Sequence, residues 1–137
     1  MYGVDLTLDK LKGMDLSDEK LIDLPPQGTR HDEVLKNAIA GIDAPELQDI
    51  KTHLAATKDD LMWLEDTGLF YPNSDDVGDG YKKCNLHTLL IGPAACGYQH
   101  LGFRLGIFML GPRTLYRDHK HDAPELYLNL SKRSGWR

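Results

Sequence analysis

Two cysteines, Cys84 and Cys96, are all that the 137 residues contain, and no CxxC pair exists. That excludes a disulfide framework and a thiolate metal cluster, and leaves two reduced, buried thiols as the expectation. Long apolar runs are also missing. No stretch approaches the ~20 residues needed to span a bilayer, and no basic segment followed by an apolar one opens the chain. A cytoplasmic protein with no membrane partner is expected. Aromatics amount to 8% of the chain, and no basic stripe is interleaved with them, so nucleic acid is not the expected partner.

Basic charge is scarce in the first half. Residues 1–70 carry 15 acidic and 7 basic side chains, and residues 71–137 carry 6 and 9, for a net charge of −5. A mildly basic second half is compatible with a small anionic or zwitterionic ligand. With 41% hydrophobic and 27% charged residues, the composition is that of one ordinary globular domain with a modest core.

Apolar residues recur at helical spacing from Asp32 to Ile42 (Leu35, Ala38, Ile42) and from Ala44 to about Asp66 (Leu47, Ile50, Leu54, Leu61, Leu64). Two amphipathic helices are predicted, with Pro45 at a tolerated first-turn position. Pro25-Pro26-Gln27-Gly28 marks a linker before them. The turn-rich stretch from Tyr71 to Gly80 reads as a solvated loop at a site rim; its three aspartates lack the EF-hand pattern. Strands are predicted over His87–Ile91, Leu101–Leu110, Thr114–Arg117 and Glu125–Ser131, separated by Gly92-Pro93 and Gly111-Pro112 turns. Leu101–Leu110, nearly all apolar, suits a central strand. Such spacing fits an antiparallel barrel or jelly roll.

One dodecapeptide concentrates chemistry. Tyr116 to Tyr127 holds His119, His121, Glu125 and two phenols, and imidazole nitrogen with carboxylate oxygen suits divalent zinc, iron, manganese or nickel. In an extended chain His119 and His121 point the same way, as do Glu125 and Tyr127. From Glu125 to Ser131 polar residues and leucines alternate, which predicts a strand with a leucine core face and a polar face lining a cavity. The plain alternative is a pair of solvated loop histidines beside a carboxylate that faces water.

The pattern Y-x-x-H-x-H-x3-E-x-Y resembles the first metal-binding motif of cupins, and more closely that of the cupin-type dimethylsulfoniopropionate lyases. The resemblance extends more loosely over residues 60–137, where Leu61-Met62-Trp63 looks like a lead-in strand. It implies a fold that is mainly β with N-terminal α-helices: residues 1–59 as a helical region packed on a double-stranded β-helix or jelly-roll barrel formed by residues 60–137. That barrel would be incomplete at its C-terminus, because the family's second motif, with a further histidine ligand, has no counterpart here.

The resemblance further implies a divalent metal ion (zinc, iron or manganese) held by His121, Glu125 and Tyr127, with Tyr116 and His119 at active-site positions. The activity implied is β-elimination of a small zwitterion, dimethylsulfoniopropionate, to acrylate and dimethyl sulfide. Tyr127 is the preferred base, with Tyr116 second because it falls on a different strand parity. Trp63, Phe70, Tyr71 and Trp136 are aromatic faces available to a sulfonium. Competing expectations are another metal-dependent cupin chemistry, a dioxygenase or isomerase, and a non-catalytic metal-binding fragment; a homodimer that completes the barrel is a further reading. His31, His53, His87 and His100 are read as structural.

Overall fold

A computed structural model of the chain describes residues 2–67, 80–94, 96–116, 122–131 and 134–135. Helix α1 (Tyr2–Lys12) is followed by α2 (Asp32–Ala40) and α3 (Gln48–Thr57), and then by strands β1 (Asn85–Gly92), β2 (Cys96–Gln99) and β3 (Leu105–Leu110). Among the described residues no helix is long and apolar enough to cross a membrane.

Leucine and isoleucine spacing explains how the helices meet the sheet. Leu35 and Ile39, at i and i+4, share one face of α2, and Ile42 follows two residues past its end. They close a single core with Leu54 of α3, Trp63, Leu86 of β1 and Met109 of β3. Burying each such side chain is worth roughly 1.5–3 kcal/mol. The Trp63 indole N–H is satisfied by the Lys58 carbonyl at 2.8 Å.

Helix α3, the second of the two predicted, is shorter than its periodicity predicts. It stops at Thr57, where the Lys58 N–H still reaches the Leu54 carbonyl at 2.9 Å, and Asp60 then turns back to Thr57. Two aspartates at Asp59 and Asp60 favour such a turn over a further helical step. The chain continues extended, with Met62 bridging Gln27 and Leu64 bridging His87. Leu61 therefore joins the core from the bend that follows α3 rather than from a helix.

The described strands form a three-stranded mixed sheet in the order β2-β1-β3, not a closed barrel. Strand β1 is central and pairs antiparallel with β3, from Asn85↔Leu110 to Ile91↔Leu105, with an irregularity between Leu89 and Ile91. It pairs parallel with β2, Leu89↔Cys96 to Gly92↔Gln99. Parallel neighbours ordinarily need a crossover of a dozen or more residues. Here the register steps back by about three residues, ~10 Å of strand, which residues 93–95 suffice to cover.

Three strand expectations are corrected. Leu101–Leu110 shortens to β3, because the His100 Nδ1 accepts the Gly102 N–H at 3.1 Å and closes a turn that leaves Leu101 85% exposed. The strand is an edge, not central. Thr114–Tyr116 and Glu125–Ser131 belong to no ladder; Leu126 and Leu128 are 58% and 66% exposed, and of that leucine face only Leu130 packs against the core. Alternation supplies two unlike faces, but a strand also needs a neighbour. Residues 68–79, and with them most of the expected rim loop, lie outside the described residues, as do His119 and His121.

Candidate active site

The segment that carries the motif leaves the sheet through a constrained turn. Gly111 donates its N–H to the Cys84 carbonyl at 2.8 Å, and a Cβ at Gly111 would sit 2.7 Å from that of Cys84. Pro112 and Arg113 follow, Arg113 in the left-handed region at φ 58°. A non-glycine residue there stores about 1–2 kcal/mol of strain. The turn delivers Thr114 and Tyr116 back over the end of the sheet.

Tyr116 lands in an aromatic triangle. Its ring stacks on Tyr81, centroids 5.3 Å apart and planes 13° apart, and meets Phe108 of β3 at 5.4 Å. Tyr81 and Phe108 close the third side at 6.2 Å. Such ring pairs contribute about 0.5–1.5 kcal/mol each beyond their burial.

Tyr81 is the deepest ring, 1% exposed, and its hydroxyl donates to Asp66 Oδ2 at 2.7 Å. Asn85, equally buried, locks the surrounding backbone. Its amide oxygen accepts the Asp66 N–H at 2.6 Å, and its amide nitrogen donates to the Asp66 carbonyl at 3.0 Å and the Tyr81 carbonyl at 2.7 Å. Gly80 at φ 78° supplies the left-handed residue that admits the Tyr81–Lys83 turn. Sequence reasoning missed Tyr81, Asp66, Asn85 and Phe108. Tyr81 and Asn85 are four apart, but Asp66 and Phe108 come from other segments, and no motif spacing links the set.

Glu125 and Tyr127 are brought together. The Tyr127 hydroxyl donates to Glu125 Oε2 at 2.5 Å, as i, i+2 neighbours on one side of a locally extended chain can. Both side chains are exposed. A carboxylate and a phenol whose oxygens converge are donor types that a divalent zinc, iron or manganese ion accepts; the expected imidazole donors, His119 and His121, lie outside the described residues. Among the described residues no cluster of three or more His, Cys, Asp or Glu is preformed. Of the expected aromatic faces, Trp63 is core, and Phe70, Tyr71 and Trp136 lie outside the described residues.

Two other charged groups serve the scaffold. Arg30 grips Glu65 through Nε at 3.0 Å and Nη2 at 2.8 Å. That hydrogen bonding, against a smaller opposing effect of burial, holds the Glu65 carboxyl below its ordinary range. His31 Nε2 stands 3.6 Å from the same carboxylate, and burial raises the nearby Cys84 thiol above its usual pKa. An open cavity of about 280 Å³ lies between Gly28, Asp32, Lys58 and Trp63. Its ammonium, Lys58, is already engaged by Asp32 and Asp59.

A family model described as dimethylsulfoniopropionate lyase matches residues 23–137, a span that contains α2, α3, the sheet and the whole Tyr116–Tyr127 run. No curated protein and no solved structure matches the chain.

Proposed function

The chain belongs to the dimethylsulfoniopropionate lyase family, and from that premise we propose that it cleaves dimethylsulfoniopropionate by β-elimination. The observation that carries the reading is the family match across a motif in which the Glu125 and Tyr127 oxygens meet at 2.5 Å.

The substrate bears a carboxylate at one end and a dimethylsulfonium at the other. Removal of a proton from the carbon beside the carboxylate sends that electron pair into a new carbon–carbon double bond. The carbon–sulfur bond breaks, its pair leaves with sulfur as neutral dimethyl sulfide, and acrylate remains. Tyr127 is the base. A free phenol has a pKa near ~10, too high for a neutral-pH base; the Glu125 carboxylate positions the hydroxyl, and a divalent cation bound beside it would be what favours the phenolate. The parity argument against Tyr116 does not survive, since neither tyrosine lies in a strand. Tyr127 is preferred on its hydrogen bond to Glu125 instead.

A divalent zinc, iron or manganese ion bound by His121, Glu125 and Tyr127 would supply Lewis-acid polarisation of the substrate carboxylate, where enolate-like charge develops. Tyr116 and His119 orient the substrate beside the base. The test is product stoichiometry: dimethyl sulfide and acrylate appearing one for one, with no oxygen consumed and with loss of turnover in chelator, supports the elimination. Oxygen uptake coupled to turnover refutes it.

A further inference from the structure

Tyr116, which the proposed lyase site includes, follows β3 in a stretch, Thr114–Tyr116, that forms no strand. What the ring does have is a parallel face, Tyr81, at 5.3 Å. Phe108, tilted by 54° at 5.4 Å, holds it from β3.

We infer that Tyr81 is a positioning residue for Tyr116 and that Asp66 is its anchor. The inference rests on the reading of Tyr116 as part of the lyase site. Tyr81 does not touch substrate on this account, since it is almost wholly buried; it acts through the ring that covers it.

The chain of contacts runs outward from the sheet. Asn85 of β1 fixes the backbone of Asp66 and of Tyr81 by three hydrogen bonds. Asp66 Oδ2 fixes the rotation of the Tyr81 ring through its hydroxyl. The Tyr81 face then restricts the Tyr116 ring to planes near its own. A phenylalanine at Tyr81 would fill the same volume, so selecting the hydroxyl and pairing it with a carboxylate is a feature of orientation rather than of filling. Small misplacement of a group beside the reacting atoms can cost on the order of a hundredfold in rate.

The experiment compares Tyr81→Phe, Tyr81→Leu, Asp66→Ala and Asp66→Asn in the full chain, using dimethyl sulfide release for kcat and KM and melting temperature for folding. The expected result is a kcat loss of roughly tenfold to a hundredfold in Tyr81→Leu with little change in KM. Smaller losses are expected in Tyr81→Phe and Asp66→Ala, and Asp66→Asn, whose amide oxygen still accepts the hydroxyl, should recover most of what Asp66→Ala loses. If Tyr81→Leu fails to fold, the other three variants decide.

Ring-labelled tyrosine spectra of the same proteins give a readout independent of turnover. The Tyr116 resonances, identified by their disappearance in Tyr116→Phe, should carry an upfield ring-current shift that weakens in Asp66→Ala and returns in Asp66→Asn. Folded variants with unchanged kcat and unchanged Tyr116 resonances overturn the inference. A wild-type chain that releases no dimethyl sulfide under any metal condition sinks the lyase reading instead, and the ring shifts then decide the positioning claim alone.

Discussion

The ring of Tyr116 lies 13° from parallel to that of Tyr81 at a centroid distance of 5.3 Å, although 35 positions separate them in the chain. The sheet makes this contact possible. Tyr81 sits at the entrance to β1, while Tyr116 follows the exit from β3, and antiparallel pairing brings that entrance and that exit to the same end.

Asn85 ties that end together, so its removal should be costly. In Asn85→Ala the Asp66 N–H and the Tyr81 carbonyl lose their buried partner, at about 1–3 kcal/mol for each group left unsatisfied. Urea unfolding should show a lowered midpoint at unchanged slope, and Asn85→Asp should not rescue it, because its second carboxylate oxygen would face the Asp66 and Tyr81 carbonyls that the amide nitrogen serves.

Gly106 permits the close approach of β3 to β1. A Cβ there would fall 2.7 Å from the Thr88 carbonyl oxygen, which is backbone and cannot swing aside. Gly106→Ala should therefore destabilise by roughly 1–3 kcal/mol, read as a fall in melting temperature. An unchanged melting temperature would mean that the β1–β3 register is wrong.

The Arg30–Glu65 pair gives a pH signature. Hydrogen bonding to Arg30 lowers the folded-state Glu65 pKa below the ordinary 4.5. A depressed carboxylate contributes stability that is present above the unfolded value and is lost as pH falls through the folded one. Wild type and Glu65→Gln should thus differ near neutrality, by a small margin because both side chains are solvent-accessible, and converge below the folded-state pKa. His31 Nε2 also faces this carboxylate, at 3.6 Å, and the Cys84 thiol, raised by burial, stays neutral across that acid window.

Part of this was legible in the chain. Helix α2 follows from the Leu35, Ala38 and Ile42 spacing, although it stops at Ala40, and β1 follows from the apolar run between His87 and Ile91. Strand β2 was invisible, because Gly92-Pro93 reads as a terminating turn and Cys96-Gly97-Tyr98-Gln99 has neither alternation nor β-branched residues. The apolar composition of β3 suggested a central strand, yet its apolar residues partly face solvent, Leu105 at 37% and Phe108 at 38%. Glu125–Ser131 misled for a related reason: its alternation is real, but pairing is a tertiary fact that the local pattern does not contain. The motif residues could be found because they are contiguous. The Asn85–Asp66–Tyr81 support could not, because only folding assembles it.

Tyr127 is too exposed to contribute much to folding. The side chain is 48% exposed, so Tyr127→Phe should melt with wild type. If Tyr127 is the base, the same substitution should cost about a hundredfold or more in kcat.

The most direct measurement is headspace dimethyl sulfide from the purified chain given dimethylsulfoniopropionate with manganese, iron or zinc, beside His121→Ala and Tyr127→Phe. Metal-dependent release by wild type, lost in His121→Ala and strongly reduced in Tyr127→Phe while both variants remain folded, is the expected result. No release by the folded, metal-loaded wild type, or release unaffected by either substitution, would contradict the assignment of elimination chemistry to this motif.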